Sequence, residues 1–538
     1  MFYQNIKLKL FLIIACSSLV VYLWLSSRSN VKTQEDAITK QELVRGNGAE
    51  PASLDPGKAE GIPESAIIRD MFEGLATQER KGEVIPGVAH KWEKSQDGLS
   101  YTFYLRDSTW SNGDPLTAQD FVYTWRRLAD PKTGSAYSGY LEISHIKNAS
   151  QVIEGKLSPD NLGVEAINTR TLRVHLDQKV PYFAQMMCHF SLSPVHQKTI
   201  EKYGDQWTKP ENIVSNGAYK LDKWIVNGRV ILKRNPLYWN NSKTTINKVT
   251  FLPSVSESAE LNQYLAGQID ITYWLPVDQF ERMKKNYPSE VKVTGYLAIY
   301  YYLFNTSKPP FDDVRIRRAF SYAIDRNIIT QKITKRGELP AYNFTPDIVA
   351  GYIPKSFPWE KLSQTERNEL ARELLQEAHF DFSMPIEILY NTNEDNKKIA
   401  VTIASMWKKN LGINVQLINE EWKTYLETRK GNNWTVARAG WVGDYNEAST
   451  FLGILTCDNA LNSSKWCNEK YDALLIKSLN AKDAEISHIY NEMEDIISAE
   501  QPIAPIYQYV RARMVKPHVG GYAQNAEDRQ YTKNLFIR

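Results

Sequence analysis

At 538 residues the chain is too long for one hydrophobic core, so two or three domains are expected. Hydrophobic residues at 42% and charged residues at 24% argue against disorder. Lys+Arg 65 against Asp+Glu 62 leaves +3, and no basic run carries interleaved aromatics, so nothing supports a nucleic-acid partner. The aromatic share, 12% with Trp 14 and Tyr 30, suits either a large aromatic core or a binding cleft, because Tyr and Trp pair rigid area with a polar edge.

The first thirty residues read MFYQNIKLKLFLIIACSSLVVYLWLSSRSN. Lys7 and Lys9 precede an apolar run from Leu10 to Leu25, the pattern of a membrane-targeting segment. The run is near the roughly 17-residue lower limit for a spanning helix, and no A-x-A site follows it. Residues 1–30 therefore have three open fates: a cleaved signal, a retained anchor through residues 10–25, or lipidation at Cys16 in IIAC. All three place the body outside the cytoplasm.

Helix and strand patterns then alternate. YTFYLRDSTW (101–110) predicts a strand. PLTAQDFVYTWRRL predicts a helix with Thr117 and Asp120 as a capping box and Phe121, Trp125 and Leu128 on one face. RVILKRN and KVTFLPS are further strands. DDVRIRRAFSYAIDR carries a stripe of Ile316, Ala319, Phe320, Ala323 and Ile324, capped by Asp312 or Asp313. NELARELLQEAHF repeats the period with Leu370, Leu374, Leu375 and Ala378. PIEILYN, NKKIAVTIASMWKKNLG ended by Gly412, and INVQLIN form strand, helix, strand: a βαβ unit with parallel strands. EEWKTYLETRKG predicts a short helix and WTVARAGW another strand.

Asp444 falls just past the carboxyl end of that last strand, and Asn391 ends the first strand of the βαβ unit. Ligands of open α/β sheets bind at those ends. G-x-S-x-G, H-E-x-x-H and P-loop motifs are absent, and the 8 histidines form no recognisable constellation, which lowers the odds of an enzyme. RAGWVGDYNE offers Arg438 and Asp444, and Arg429 adds a second guanidinium. A guanidinium suits a ligand carboxylate and a carboxylate suits an ammonium, although these groups also suit each other. Cys457 and Cys467 flank a polar loop, which suggests a disulfide in an oxidising compartment; zinc is the rival, without a His/Cys set beside them. Closing so short a loop stabilises by about 2–3 kcal/mol. Cys188 in AQMMCHFSLS is most simply a buried apolar thiol.

Nine stretches give a family resemblance: EPASLDP (50–56), RDMFEGL (69–75), WSNGDPLTAQDFVYTWRR (110–127), NGAY (216–219), PPFDDVRIRRA (309–319), IASMWKKNLGINV (403–415), EEWKTYLETR (420–429), RAGWVGDYNE (438–447) and APIYQYVRARMVKP (504–517). Together they resemble the bacterial periplasmic oligopeptide-binding proteins, receptors of ABC importers, over nearly everything after the leader. The resemblance implies an α/β, two-lobed periplasmic binding protein, class II-like with an extra third domain, mixed sheets and hinge closure on ligand. It implies a discontinuous domain I (43–72, 197–297, 511–538), a domain II (73–196) packed on it, and a domain III (298–510) as the second lobe. It implies a monomer without cofactor or metal, in the periplasm of a Gram-negative bacterium, free or tethered through its leader, that serves an inner-membrane oligopeptide permease.

By resemblance Asp444 binds the free ammonium of a short peptide, Glu60 in KAEG and Tyr137 in SAYSGY line the first pocket, and Trp422, Arg429, Arg438, Trp441 and Tyr509 line the rest of the cleft. The peptide is held as an added strand. Several positions depart from the general receptors. Ala298 and Val442 stand where a cysteine pair is common, Asn396 stands for a histidine near the peptide carboxylate, and DITYWLP is one residue shorter and aromatic. These features look closer to the branch that binds murein tripeptide, L-Ala-γ-D-Glu-meso-diaminopimelate, with Arg429 on the free glutamyl carboxylate. General short-peptide receptors remain the nearest alternative, and haem or glutathione carriers, an envelope peptidase and an anchored sensor or chaperone are more distant ones.

Overall fold

The computed structural model describes residues 40–481 and 483–538; the leader expectations for residues 1–30 lie outside them. No helix among the described residues is long and apolar enough to cross a membrane.

The first lobe is built on two four-stranded sheets. In one, Glu42–Gly46 runs parallel to Lys248–Leu252, which is followed by Arg229–Arg234 and Tyr219–Ile225 in antiparallel order. In the other, Ala89–Lys94, Ser100–Leu105, Thr171–His175 and Val164–Asn168 are neighbours in that order, all antiparallel. The strand expected over 101–110 stops at Leu105. Helix Ala118–Ala129 starts on the Thr117–Asp120 capping box and buries Phe121, Trp125 and Leu128. One core joins both sheets and takes Val515, Val519, Leu535 and Ile537 from the far end of the chain.

The second lobe is a mixed six-stranded sheet. Its order is Leu339–Pro340, Ile503–Met514, Val291–Phe304, Val436–Val442, Ile386–Asn391, Val415–Glu420. Ile386–Asn391 runs parallel to both Val415–Glu420 and Val436–Val442, so the βαβ unit is present and the Asp444 strand is its neighbour. The connecting helix starts at Glu394, earlier than the apolar period indicates, because Asn393 caps it by accepting from the Asp395 and Asn396 N–H groups. Gly412, at φ 77°, ends it. Asp313, not Asp312, caps helix Val314–Tyr322, and Ile324 is buried beyond that helix's end. Helix Gln364–Glu377 starts on a Ser363–Glu366 capping box.

Both faces of this sheet are covered, so Val291–Phe304 is apolar almost throughout its second half. Tyr300, Tyr302 and Phe304 enter one core, while Leu297, Ile299, Tyr301 and Leu303 enter the other, as the two-residue strand period requires. Val291–Phe304 and Ile503–Met514 also link the lobes. Ala512 and Met514 pack with Leu261, Tyr264, Ile269 and Phe280 of the first lobe, and the register of the pair slips between Gly295 and Ile299. Cys457 and Cys467 form a disulfide, and Cys188 is free and buried.

Candidate ligand-binding cleft

A cavity of about 1030 Å³ lies between the lobes. Glu60, Tyr137, Asn391, Asn396, Trp422, Arg429, Arg438, Trp441, Asp444 and Tyr509 all line it. Its volume is at the top of the roughly 300–1,000 Å³ range of small-molecule sites, enough for a short peptide. The lobes touch around it. Lys430 Nζ is 3.0 Å from Glu60 Oε1, Lys398 Nζ is 2.9 Å from Asp278 Oδ2, and Ser449 Oγ donates to the Tyr182 hydroxyl at 2.9 Å.

At one end stands Asp444, two residues beyond its strand. Its N–H donates to Thr450 Oγ1 at 2.9 Å and its carbonyl accepts from Arg529, so its backbone is fixed from both lobes. Its carboxylate is 3.2 Å from His189 Nε2. His189 is packed on Tyr140 and Tyr137, with centroids at 4.4 and 4.8 Å. Burial outweighs the pull of Asp444 and holds the imidazole below its ordinary pKa, so it is neutral at pH 7. His189 Nδ1 accepts from the Ser191 N–H, which puts the proton on Nε2, toward Asp444. The nearby Arg529 is itself answered by Glu527 at 3.3 Å. A buried carboxylate facing a neutral partner is the electrostatic complement of an ammonium.

The middle of the cleft is cationic. Arg438 donates from Nη1 to Asn391 Oδ1 at 3.2 Å and from Nη2 to the Tyr509 hydroxyl at 2.6 Å, and lies over Tyr300 at 4.7 Å. Asn396 Nδ2 donates to the same Asn391 Oδ1 at 3.0 Å, which completes an Arg438–Asn391–Asn396 chain across neighbouring strands. Arg429, in the last turn of helix Trp422–Lys430, lies over Tyr425 at 5.5 Å. Among the described residues neither arginine has a carboxylate partner, and the Nε of each is buried without an acceptor. The indole N–H groups of Trp422 and Trp441 are likewise buried without acceptors. Trp274 of the aromatic DITYWLP loop stacks on Tyr509 at 6.2 Å.

The structure adds residues that the sequence did not single out. His189 is one. Arg69 lines the cavity near Asp444, lies over Phe190 at 5.4 Å, has no ion-pair partner among the described residues, and burial lowers its pKa. Glu257, from the first lobe, also lines the cavity. Only the RDMFEGL stretch pointed at any of them, and it carries no chemical signature by itself. The described residues contain no group of three or more His, Cys, Asp or Glu side chains placed to hold a metal ion.

The middle region of the bacterial extracellular solute-binding proteins, family 5, matches residues 83–462. The chain belongs to that family. Within family 5 it is 48% identical to the periplasmic oligopeptide-binding protein OppA of Salmonella typhimurium over 504 residues, 93% of each chain. It is 46% identical to the periplasmic murein peptide-binding protein MppA of Escherichia coli over 531 residues, 97% of this chain and 98% of the relative. The solved Escherichia coli murein tripeptide binding protein MppA superimposes with a TM-score of 0.90 at 46% identity, covering 92% of this chain and 98% of that one. An unliganded open form of MppA, also 46% identical and covering 93% and 97%, gives 0.68. Sequence likeness is equal in the two comparisons, so the difference is one of lobe arrangement, and this family 5 chain has its lobes together.

Proposed function

We propose that this chain is the extracytoplasmic receptor of an ABC peptide importer, that it binds murein tripeptide in the cleft, and that it delivers it to an oligopeptide permease. The observation that carries the reading is the charge layout of the cavity: the Asp444 carboxylate faces a neutral partner, and the Arg429 and Arg438 guanidiniums line the same cavity without carboxylate partners among the described residues. An ordinary tripeptide offers one ammonium and one terminal carboxylate. L-Ala-γ-D-Glu-meso-diaminopimelate adds the free α-carboxylate of its γ-linked glutamyl, for which Arg429 is the partner. The importer, the periplasmic location and the peptide class rest on likeness to the periplasmic relatives.

Closure supports the same reading. Asp444 and Arg438 belong to one lobe and His189 and Tyr137 to the other, so a ligand gains its full set of contacts only with the lobes together. A general receptor for short peptides is the second reading, and near-equal identity to an oligopeptide-binding and a murein peptide-binding relative favours it.

Native mass spectrometry of the purified protein, identification of any released ligand, and titration with murein tripeptide against tri-alanine test the proposal. A retained or strongly preferred diaminopimelate tripeptide supports it. A ladder of mixed short peptides without preference replaces it with the second reading.

A further inference from the structure

Asp444 and the two arginines leave one wall of the cavity without a role. There Glu257, which opens helix Glu257–Leu265 of the first lobe, meets Asp395, in the first turn of helix Glu394–Leu411 of the second. Arg336 lies beside them and is already engaged. Its Nε is 2.9 Å from Glu338 Oε1 and its Nη2 is 2.8 Å from Asp395 Oδ2. Three carboxylates, Glu257, Glu338 and Asp395, thus gather around one guanidinium, with Glu394 and Glu260 close to Glu257.

Glu257 is the unsatisfied member. It is 6% exposed, its Oε1 accepts from Asn393 Nδ2 at 3.2 Å, and its Oε2 is buried without a partner. Such an oxygen is costly unless a cation or a proton answers it. Burial first, and Asp395 second, push the Glu257 carboxyl up to about 7, with Arg336 and Asn393 opposing, so near neutral pH the site is short of positive charge. Three other cations of the cavity are committed elsewhere: Arg511 and Arg513 to Asp528, and Arg529 to Glu527.

We propose that Glu257, with Asp395, forms a second cation subsite that receives a side-chain ammonium of the bound peptide, such as the distal ammonium of a diamino acid or that of lysine. The proposal deepens the peptide-receptor reading and rests on it. Glu257 comes from one lobe and Asp395 and Asn393 from the other, so the subsite is complete only when the lobes meet. An ammonium bound there ties the lobes together.

The test is calorimetry on the full chain and its Glu257→Gln variant at about pH 7.5, above the ordinary carboxyl range. One ligand pair is murein tripeptide against the analogue ending in 2-aminopimelate, which lacks the distal amine. The second is a lysine scan through tri- and tetra-alanine, each lysine read against norleucine at the same position. The wild type is expected to prefer the amine-bearing ligand by about tenfold or more, the size of a close charge pair, and the variant by less than about threefold. Amine-free ligands report that the variant's cleft is intact, because their affinity is expected to hold or rise. The same preference in both proteins, or none at any position in the wild type, overturns the subsite. Failure of both murein ligands alongside a Glu257-dependent gain at one lysine position refutes the murein reading and keeps the subsite.

Discussion

Asp444 of the second lobe and His189 of the first stand 3.2 Å apart, and the imidazole, enclosed by Tyr137, Tyr140 and Phe190, is neutral. The contact positions the carboxylate without cancelling its charge. A histidinium there would compete with a ligand ammonium. The aromatic enclosure prevents that by making the charged imidazole expensive.

Asp444→Ala is therefore expected to weaken every ligand with a free amino terminus by roughly 2–5 kcal/mol, since the ammonium would be buried unpaired. Calorimetry with a peptide and its N-acetylated form separates this from a general loss of the cleft. The acetylated form already lacks the charge and should respond little. Unchanged affinity for the free peptide removes Asp444 from the site.

Arg429→Ala is expected to act selectively. The guanidinium has no protein carboxylate to lose, so the fold should tolerate its removal, and the cost falls on γ-glutamyl ligands, by about 2 kcal/mol or more for a desolvated charge pair. Parallel titrations with murein tripeptide and tri-alanine measure it. Equal losses for both count against a role in reading the extra carboxylate.

Stability should fall as pH rises through the weakly acidic range. Glu260 is 1% exposed, and burial pushes its carboxyl up to about 7, against the opposing backbone N–H groups of Tyr273 and Trp274. Between the unfolded value of 4.5 and about 7 the native protein keeps a proton that the unfolded chain has released. The contribution is complete below that window and is lost as pH climbs through it, on the order of 2–3 kcal/mol. Glu257 and Glu494 are raised to about 7 as well, so Glu260→Gln should flatten the slope and not abolish it. Urea midpoints at about pH 5 and about pH 8 for both proteins give the comparison.

Ala298 and Val442 are direct partners across antiparallel strands beside the cleft. Opposed Cα atoms in such a ladder are about 4.5–5.5 Å apart, within disulfide reach. The double variant Ala298→Cys, Val442→Cys is expected to form a bridge under oxidising conditions and to gain about 2–4 kcal/mol. Loss of two free thiols and a raised urea midpoint would show it. Persistent free thiols would mean that the strand pair cannot accept the bridge geometry.

The sequence made the second lobe far more legible than the first. Ile386–Asn391, its helix and Val415–Glu420 are contiguous, so two periodicities and Gly412 put Asn391 and Asp444 at the carboxyl ends of their strands, and the fold makes those strands neighbours. Arg438 reaches Asn391 because their strands are adjacent, a relation that no local pattern encodes. His189 was missed because MMCHFSLS has no spacing signal, and its role comes from Asp444, 255 residues away. Glu257 and Asp395 were missed for the same reason: each is an ordinary first-turn acid on its own helix. The family resemblance supplied the cleft residues by position, but the neutrality of His189 and the unpartnered Glu257 oxygen emerge only when both lobes are assembled.

Residues 41–46 and 530–537 meet in the first lobe. Gln41 exchanges two hydrogen bonds with the Ile537 backbone, at 2.9 and 3.0 Å, and Thr532 Oγ1 reaches Asp70. Arg45, in the first strand, donates to the Gln530 carbonyl at 2.9 Å. A nascent chain therefore holds an unfinished first lobe until residues 530–537 are made, while the sheet that follows Val291 lacks only Ile503–Met514 for nearly as long. Both halves therefore wait on residues beyond Ile503. Loss of residues 509–538 would strip Gln41, Arg45 and Asp70 of these partners and take Val515, Val519, Leu535 and Ile537 from the first core, so truncation there should be as damaging as one near the middle.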